Sequence, residues 1–252
     1  ETEVSVRDYG RGIPLEKLVE CVSVVNTGGK FNDDVFQFSI GMNGVGTKAV
    51  NALSSEFSVC SFRDGKFRRA WFQRGNFDRD EKGKTEEPNG TQVTFTPDSS
   101  QFANYSFRQE FIEKRLWMYA YLNSGLSLYL NGTRFYSKQG LRDLIQVEAG
   151  EDRRYEIISF KDKALEFAFC HTDNYSENYY SFVNGQHTND GGTHLSAFKE
   201  GLLKAINEYS GKTYQASDVR DGIVAAVAIK LKDPIFESQT KNKLGNTDIR
   251  AW

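Results

Sequence analysis

The stretch GIVAAVAIKL, residues 222–231, limits what this chain can become more than any other. An apolar run without polar alternation is what a strand covered on both faces presents. Ahead of it, THLSAFKEGLLKAINEYSG places Leu195, Phe198, Leu202 and Ile206 at helical spacing. Further upstream, RYEIISF, LEFAFCHT and NYYSFVNGQ read as successive strands. Strand, helix, strand predicts a right-handed crossover. The chain must therefore build a sheet with helices against it, and 252 residues, 38% hydrophobic and 13% aromatic, supply the core.

The first half mixes the same elements in another order. Val4 and Val6 alternate with polar residues, and the chain turns at DYGRGIP, where Pro14 suits a first helical turn. Leu15, Leu18, Val19 and Val22 form a helical stripe that should stop at NTGG, and Ala49, Val50 and Leu53 form a second. FSVCSF and KFRRAWFQ meet at Asp64–Gly65, a strong hairpin signal, and TQVTFTP alternates again. Ile112, Leu116, Tyr119 and Leu122 mark a long helix ending near Gly125, and LSLYLNGTRFY turns at Asn131–Gly132. The polar QVEAGEDR segment suggests a boundary, giving domains 1–150 and 151–252.

Composition narrows the function. A net charge of −2 argues against a dedicated nucleic-acid binder, so any DNA contact must come from local patches. Cys21, Cys60 and Cys170 are scattered without a C-x-x-C pair, which points to a reducing compartment and away from disulfide frameworks and zinc. No apolar run approaches the roughly 20 residues of a membrane span. The expectation is a soluble, cytoplasmic chain with no membrane partner. It opens ETEVSVRD, without methionine and already in a strand, so a piece of a longer protein is expected.

Chemistry concentrates in SIGMNGVGTKAVNALSSEF. Gly41, Gly44 and Gly46 precede a helical pattern, and glycine is the costliest residue to order. The order G-x-x-G-x-G is not the dinucleotide fingerprint, and GMNGVGTK swaps the last two positions of a P-loop. What remains physically is a helix N-terminus with open donors and a positive dipole end, which favours an anion. The alternative is a surface turn needing positive φ. Asp8 beside Gly10 and Gly12 could accept a hydrogen bond from an exocyclic amine such as adenine's, or serve as a simple turn residue. NGTQVTF is similarly ambiguous at Gly90 and Thr91.

Together, these motifs resemble the ATPase region of type IIA DNA topoisomerases, as in the B subunits of bacterial gyrase and topoisomerase IV, of the GHKL superfamily. DYGRGIP resembles the adenine box, GGKF the start of the ATP lid, GMNGVGTKAVNALS the phosphate box, and NGTQVTF the strand closing the pocket. YSFVNGQHTNDGGTHLSAFKEGL and DPIFESQTKNKL resemble the transducer domain and its switch-lysine loop. The implied fold is α+β: an N-terminally truncated GHKL (Bergerat) α/β sandwich followed by a transducer with a right-handed βαβ crossover.

The resemblance implies ATP and Mg2+ as cofactors and assigns roles by position. Asp8 would receive the adenine amino group with Thr91 supporting it through a water, Gly10 and Gly12 would shape the loop, and Ile13 and Pro14 would form an apolar wall. Arg11 and Arg63 would line the pocket mouth. Gly28, Gly29 and Lys30 would belong to the lid, while Gly41, Met42, Asn43, Gly44, Val45 and Gly46 would hold the phosphates. Gln239 and Lys241 would reach the γ-phosphate and so act as a switch. His194 reads as structural. The implied partners are a transported DNA duplex, an A subunit carrying the cleavage tyrosine, and a second copy of the full-length subunit, with this piece alone a monomer.

Two departures from the family pattern matter. The glutamate base and magnesium-binding asparagine belong to a helix that would precede Glu1, so this piece alone is expected to be hydrolytically inactive. Phe36 stands where gyrase-like lids often carry tyrosine, and the short turn at Pro14–Leu15 leans toward topoisomerase IV. A non-enzymatic docking module and a chaperone- or mismatch-repair-type relative remain as alternatives.

Overall fold

The computed structural model describes residues 2–27 and 44–251. The lid positions Gly28, Gly29, Lys30 and Phe36, and the loop positions Gly41, Met42 and Asn43, lie outside that range. The chain divides into two compact units, Glu1–Arg108 and Gln109–Trp252.

Unit 1 is an antiparallel sheet backed by helices. Its strands are β1 (Val4–Arg7), β2 (Ser54–Arg63), β3 (Lys66–Gln73), β4 (Asn76–Lys84) and β5 (Gly90–Pro97), in the order β1-β5-β2-β3-β4. Asp64 and Gly65 both take positive φ, +54° and +74°, which matches the twist of the β2–β3 hairpin as the sequence predicts. Alternate residues Phe57, Val59, Ala70, Phe72, Val93 and Phe95 turn to one face. Against them pack Leu18, Val19 and Val22 of α1 (Leu18–Ser23) and Val50 of α2 (Gly46–Ala52). Burying each large aliphatic side chain contributes about 1.5–3 kcal/mol, so this seam fixes which face carries the helices.

Two local expectations change. α1 ends at Ser23, with Asn26 at φ +60°, before the glycines expected to stop it. The second stripe is displaced: Val50 packs inward, but Leu53 is 43% exposed and the buried residues of α2 are Lys48 and Asn51.

Unit 2 holds α3 (Gln109–Leu122), the hairpin β6 (Ser127–Leu130) and β7 (Thr133–Tyr136), and α4 (Leu141–Ala149). A second sheet follows, with β8 (Ile158–Lys161), β9 (Leu165–His171), β10 (Asn178–Val183), β11 (Gln186–His187) and β12 (Ile223–Ile229) in the order β11-β10-β12-β9-β8. The apolar run is central: β12 pairs parallel with β10 and antiparallel with β9, and is buried along nearly its whole length. α5 (Thr193–Ser210) lies on the β10–β12 connection, and α6 (Ala216–Arg220) completes it. Leu195, Phe198 and Leu202 of α5 pack inward as their spacing predicts.

The expected boundary at 150/151 falls inside this unit. QVEA is the C-terminal half of α4 and Gly150 its cap, and Leu141, Leu144, Ile145 and Ala149 of that helix join Met118 and Tyr121 of α3 in one core with Ala168, Phe182 and Val224. The helix is amphipathic, so its polar face looks like a linker when read linearly. Tyr119, placed in the inward stripe of α3, is instead 41% exposed, while Met118, Tyr121 and Leu122 make the contact.

Candidate functional site

The Asp8 constellation forms where β1 runs out against β5. The Asp8 amide extends the ladder by donating to Thr91 O at 2.9 Å. The Asp8 carboxylate turns back on the same strand pair, with Oδ1 accepting from Gly10 N at 2.9 Å and Thr91 N at 3.2 Å. Register places Val6 beside Val93, Val59 beside Val93, and Ser61 beside Thr91. Side chains two apart share a face, so Asp8, Thr91, Ser61 and Arg63 lie on the helix-bearing side with Val59 and Val93. Asp8 is exposed, and among the described residues its side-chain hydrogen bonds end on Oδ1.

The following loop is laid tightly on the sheet. Gly12 has φ +74°, and a Cβ there would sit 2.5 Å from Phe62 O and 3.0 Å from Ser61 Oγ. The Ser61 hydroxyl, fully buried, donates to Ile13 O at 2.7 Å, and Ile13 joins the core. Pro14 precedes the 3₁₀ turn Leu15–Lys17, consistent with its expected place at a helical start. Arg7, which carries no motif signal in the sequence, ties these parts together. Its guanidinium donates to Asp8 O and to Pro88 O, the latter at 2.7 Å, and lies 4.4 Å from the Phe62 ring centroid. Arg11 is exposed, and Arg63 stands 3.5 Å from Asp64 Oδ2 at the end of β2.

On the same face, α2 opens at Gly46 with Val45 as its cap residue and no side-chain capping bond. The amides of its first turn have no intrahelical acceptor, as at any helix start. Gly44, at φ +55°, approaches so closely that a Cβ would lie 2.6 Å from Thr27 O and 3.2 Å from Lys48 Nζ. Lys48 is only 8% exposed, and its ammonium donates to Thr27 O at 2.8 Å. Burial pulls its pKa below the usual lysine range, an effect Cys21 partly opposes. Asn51 is fully buried and donates to Val22 O at 3.0 Å, while its Oδ1 has no partner among the described residues. Lys48 and Asn51 carry a signal that an apolar-stripe reading misses: polar residues at the inward spacing of a short helix beside a glycine loop.

In unit 2, Gln239 and Lys241 sit on an excursion between Ile235 and Gly245, closed by Gly245 N donating to Ile235 O at 2.8 Å. Lys241 has φ +58° and its amide donates to Ser238 O at 3.0 Å. His194 is 2% exposed, with Nε2 3.3 Å from Thr188 Oγ1, and burial drives its pKa down to about 4. It is a neutral core residue, as expected from sequence.

Two grooves of unit 1 lie elsewhere. One of about 330 Å³ involves Glu56, Ser58, Trp71 and Thr94. Another of about 370 Å³ runs between Leu15–Glu16 and Lys66, Arg68, Lys82 and Lys84. Neither contains Asp8, and the chemistry argues for the Asp8 side.

Residues 132–252 match the family model described as DNA gyrase B. The B subunit of DNA topoisomerase 4 from Borreliella burgdorferi is 54% identical over 249 residues, covering 98% of this chain and 42% of that protein. The B subunit of DNA gyrase from Helicobacter pylori (strain 26695) is 35% identical over 278 residues, covering 98% and 36%. The crystal structure of the 43K ATPase domain of Thermus thermophilus gyrase B in complex with an aminocoumarin superposes with a TM-score of 0.77. It shares 31% identity and covers 99% of this chain and 72% of that one. The chain spans about two fifths of the length of the curated relatives it matches.

Proposed function

Because the chain belongs to the gyrase B family of type II DNA topoisomerase subunits, we propose that it binds ATP between the Asp8 constellation and the N-terminus of α2. In the complete subunit this site would drive passage of a DNA duplex. The family match displaces the chaperone- and mismatch-repair-type alternatives. The higher identity to a topoisomerase IV subunit, 54% against 35%, supports a topoisomerase IV-type parent.

The single observation that carries the nucleotide reading is the exposed Asp8 carboxylate, whose Oδ1 is held by two backbone amides while Oδ2 takes no hydrogen bond among the described residues. Oδ2 accepts the adenine amino group, and Gly12 and Ile13 give the base a close, apolar support. The residues also fit a triphosphate. Gly44 lets the backbone pass where a Cβ would strike Thr27 O, the first-turn amides of α2 have no side-chain cap among the described residues, and Lys48 holds a buried ammonium close to Gly44. Arg11 and Arg63 border the base. Gly28, Gly29 and Lys30 are assigned to the lid, and Gly41, Met42 and Asn43 complete the phosphate loop.

Gln239 and Lys241 are assigned to the γ-phosphate on sequence grounds. A fixed ammonium stabilises charge that develops on the transferring phosphoryl group. Loss of that contact after hydrolysis would release the closed state. Mg2+ supplies charge neutralisation when bound with ATP. Among the described residues no three His, Cys, Asp or Glu side chains converge on a metal, so no magnesium ligand is assigned to them. The partners proposed for the complete subunit are DNA, an A subunit that cleaves it, and a second copy of itself. No helix among the described residues is long and apolar enough to cross a membrane.

Asp8→Asn tests the reading. Asparagine keeps Oδ1 as acceptor and replaces Oδ2 by a donor, so the loop survives while the adenine contact becomes donor against donor. Losing a hydrogen bond to a charged group costs about 1.5–3 kcal/mol, or roughly 10–150-fold in ADP affinity by calorimetry. A folded Asp8→Asn chain that binds ADP as tightly as wild type would refute the assignment.

A further inference from the structure

The glycine pair ahead of α5 has no part in the proposed nucleotide site, yet unit 2 ties it to the Lys241 excursion atom by atom. Leu244 directs both of its backbone polar groups at this segment. Its amide donates to Gly191 O at 3.2 Å, and its carbonyl accepts from Thr193 N at 3.1 Å, which makes a parallel bridge between Gly192 and Leu244. One step further out, Asp190 N donates to Asn242 O at 3.0 Å. The two chains lie so close that a Cβ on Gly192 would come within 2.5 Å of Leu244 O, and Gly192 itself has φ +130°. Only glycine fits there.

Each end of this contact is anchored. Leu244 is 1% exposed in a core with Val183, Val227 and Ile229. Gly191 N donates to Thr188 O at 2.9 Å, and Thr188 N donates to Ser181 O on β10 at 2.8 Å. From this mount the excursion projects as a short hairpin, in which Phe236 bridges Leu244 and Glu237 N donates to Lys243 O at 3.1 Å. Lys241 sits at its turn in a left-handed conformation that a lysine adopts only when its surroundings impose it.

We propose that Gly192 is the positioning residue for Lys241: its bare backbone lets the start of α5 clamp Leu244 and so sets the Lys241 turn. This rests on the phosphate role proposed for Lys241. Gly192→Ala would push Leu244 outward and carry the turn with it.

The test uses the complete subunit with its partner and DNA. Displacing a reacting group by about 1 Å costs roughly 100-fold, so Gly192→Ala should lower ATP turnover by about that factor. ADP affinity should stay within about twofold, because ADP lacks the phosphate that Lys241 is assigned to. Gly211→Ala is the control for lost stability, since it ends the same helix at φ +66° with open space around its missing Cβ. It should leave turnover unchanged. A folded Gly192→Ala protein that turns over like Gly211→Ala overturns the inference. Full turnover in Lys241→Ala would sink the switch-lysine reading instead. Should Gly192→Ala fail to fold, amide exchange in the wild-type chain decides: Asp190, Thr193 and Leu244 are expected to exchange together as one protected group, and rapid exchange at Thr193 and Leu244 overturns the clamp.

Discussion

Gly12 and Gly65 share φ +74°, but their surroundings differ. Nothing lies within 4 Å of a Cβ added to Gly65, whereas at Gly12 it would meet Phe62 O at 2.5 Å, Ser61 Oγ at 3.0 Å and Gly90 O at 3.2 Å. Alanine at either site incurs the left-handed backbone cost of about 1–2 kcal/mol. At Gly12 the loop must also retreat, by roughly 1 Å, to restore ordinary carbon–oxygen separation. That retreat strains the bond from the buried Ser61 hydroxyl to Ile13 O, and orphaning such a group costs about 1–3 kcal/mol. The difference between the two variants should be about 2 kcal/mol. For a unit of this size that places the Gly12→Ala melting transition roughly 10 °C below that of Gly65→Ala. Thermal unfolding followed by Trp71 fluorescence measures the difference, and ADP titration should show weaker binding only for Gly12→Ala. Equal losses in both variants would mean that close approach of the loop to β2 contributes nothing.

Acid conditions give two further tests. Burial drives the His194 pKa down to about 4, so the folded chain binds fewer protons there than the unfolded chain between pH 6.5 and 4. Stability should fall as pH drops through that window, and denaturant titrations of His194→Gln should show a flatter profile; an identical slope would refute it. The Asp98 carboxyl is held at about 2, chiefly by its hydrogen bond from Arg74 and then by the Ser100 amide. Its contribution is complete above the ordinary carboxylate pKa and is lost as pH falls toward 2. Carboxyl titration by NMR in Arg74→Gln should move Asp98 up toward the usual range, and an unmoved carboxyl would show that the Arg74 contact does not hold it.

Legibility in the sequence follows the strength of local rules. The Asp64–Gly65 and Asn131–Gly132 hairpins are readable because both turn residues need positive φ, and each takes it: +54° and +74°, +50° and +85°. β4 is not, because NFDRDEKGK is exposed along its whole length and therefore shows no alternation. Its turn is Arg74–Gly75, at +49° and +80°, and arginine gives no turn signal. Asn184–Gly185 has the right signature but lies inside NYYSFVNGQ, which has the pattern of one strand; it divides β10 from β11. Asp8, Gly12, Ile13 and Thr91 are legible through a resemblance between motifs. The clamp at Gly192 is not, because its partner Leu244 lies far along the chain and only the fold brings the two backbones together.

The burial pattern of α2 bears on the proposed phosphate site. Val50 of this seven-residue helix packs against the core, yet the two residues the helix buries most deeply are Lys48 and Asn51, both polar. Burying an ammonium is unfavourable unless charge or several acceptors meet it, and among the described residues the Lys48 hydrogen bond goes to a neutral carbonyl, Thr27 O. The lowered pKa of Lys48 records that cost. Binding an anion beside Gly44 would reverse it, since a phosphate favours the charged lysine and the open amides of the helix start together. The proposed anion site would thus account for the local rule that α2 breaks in burying Lys48 and Asn51.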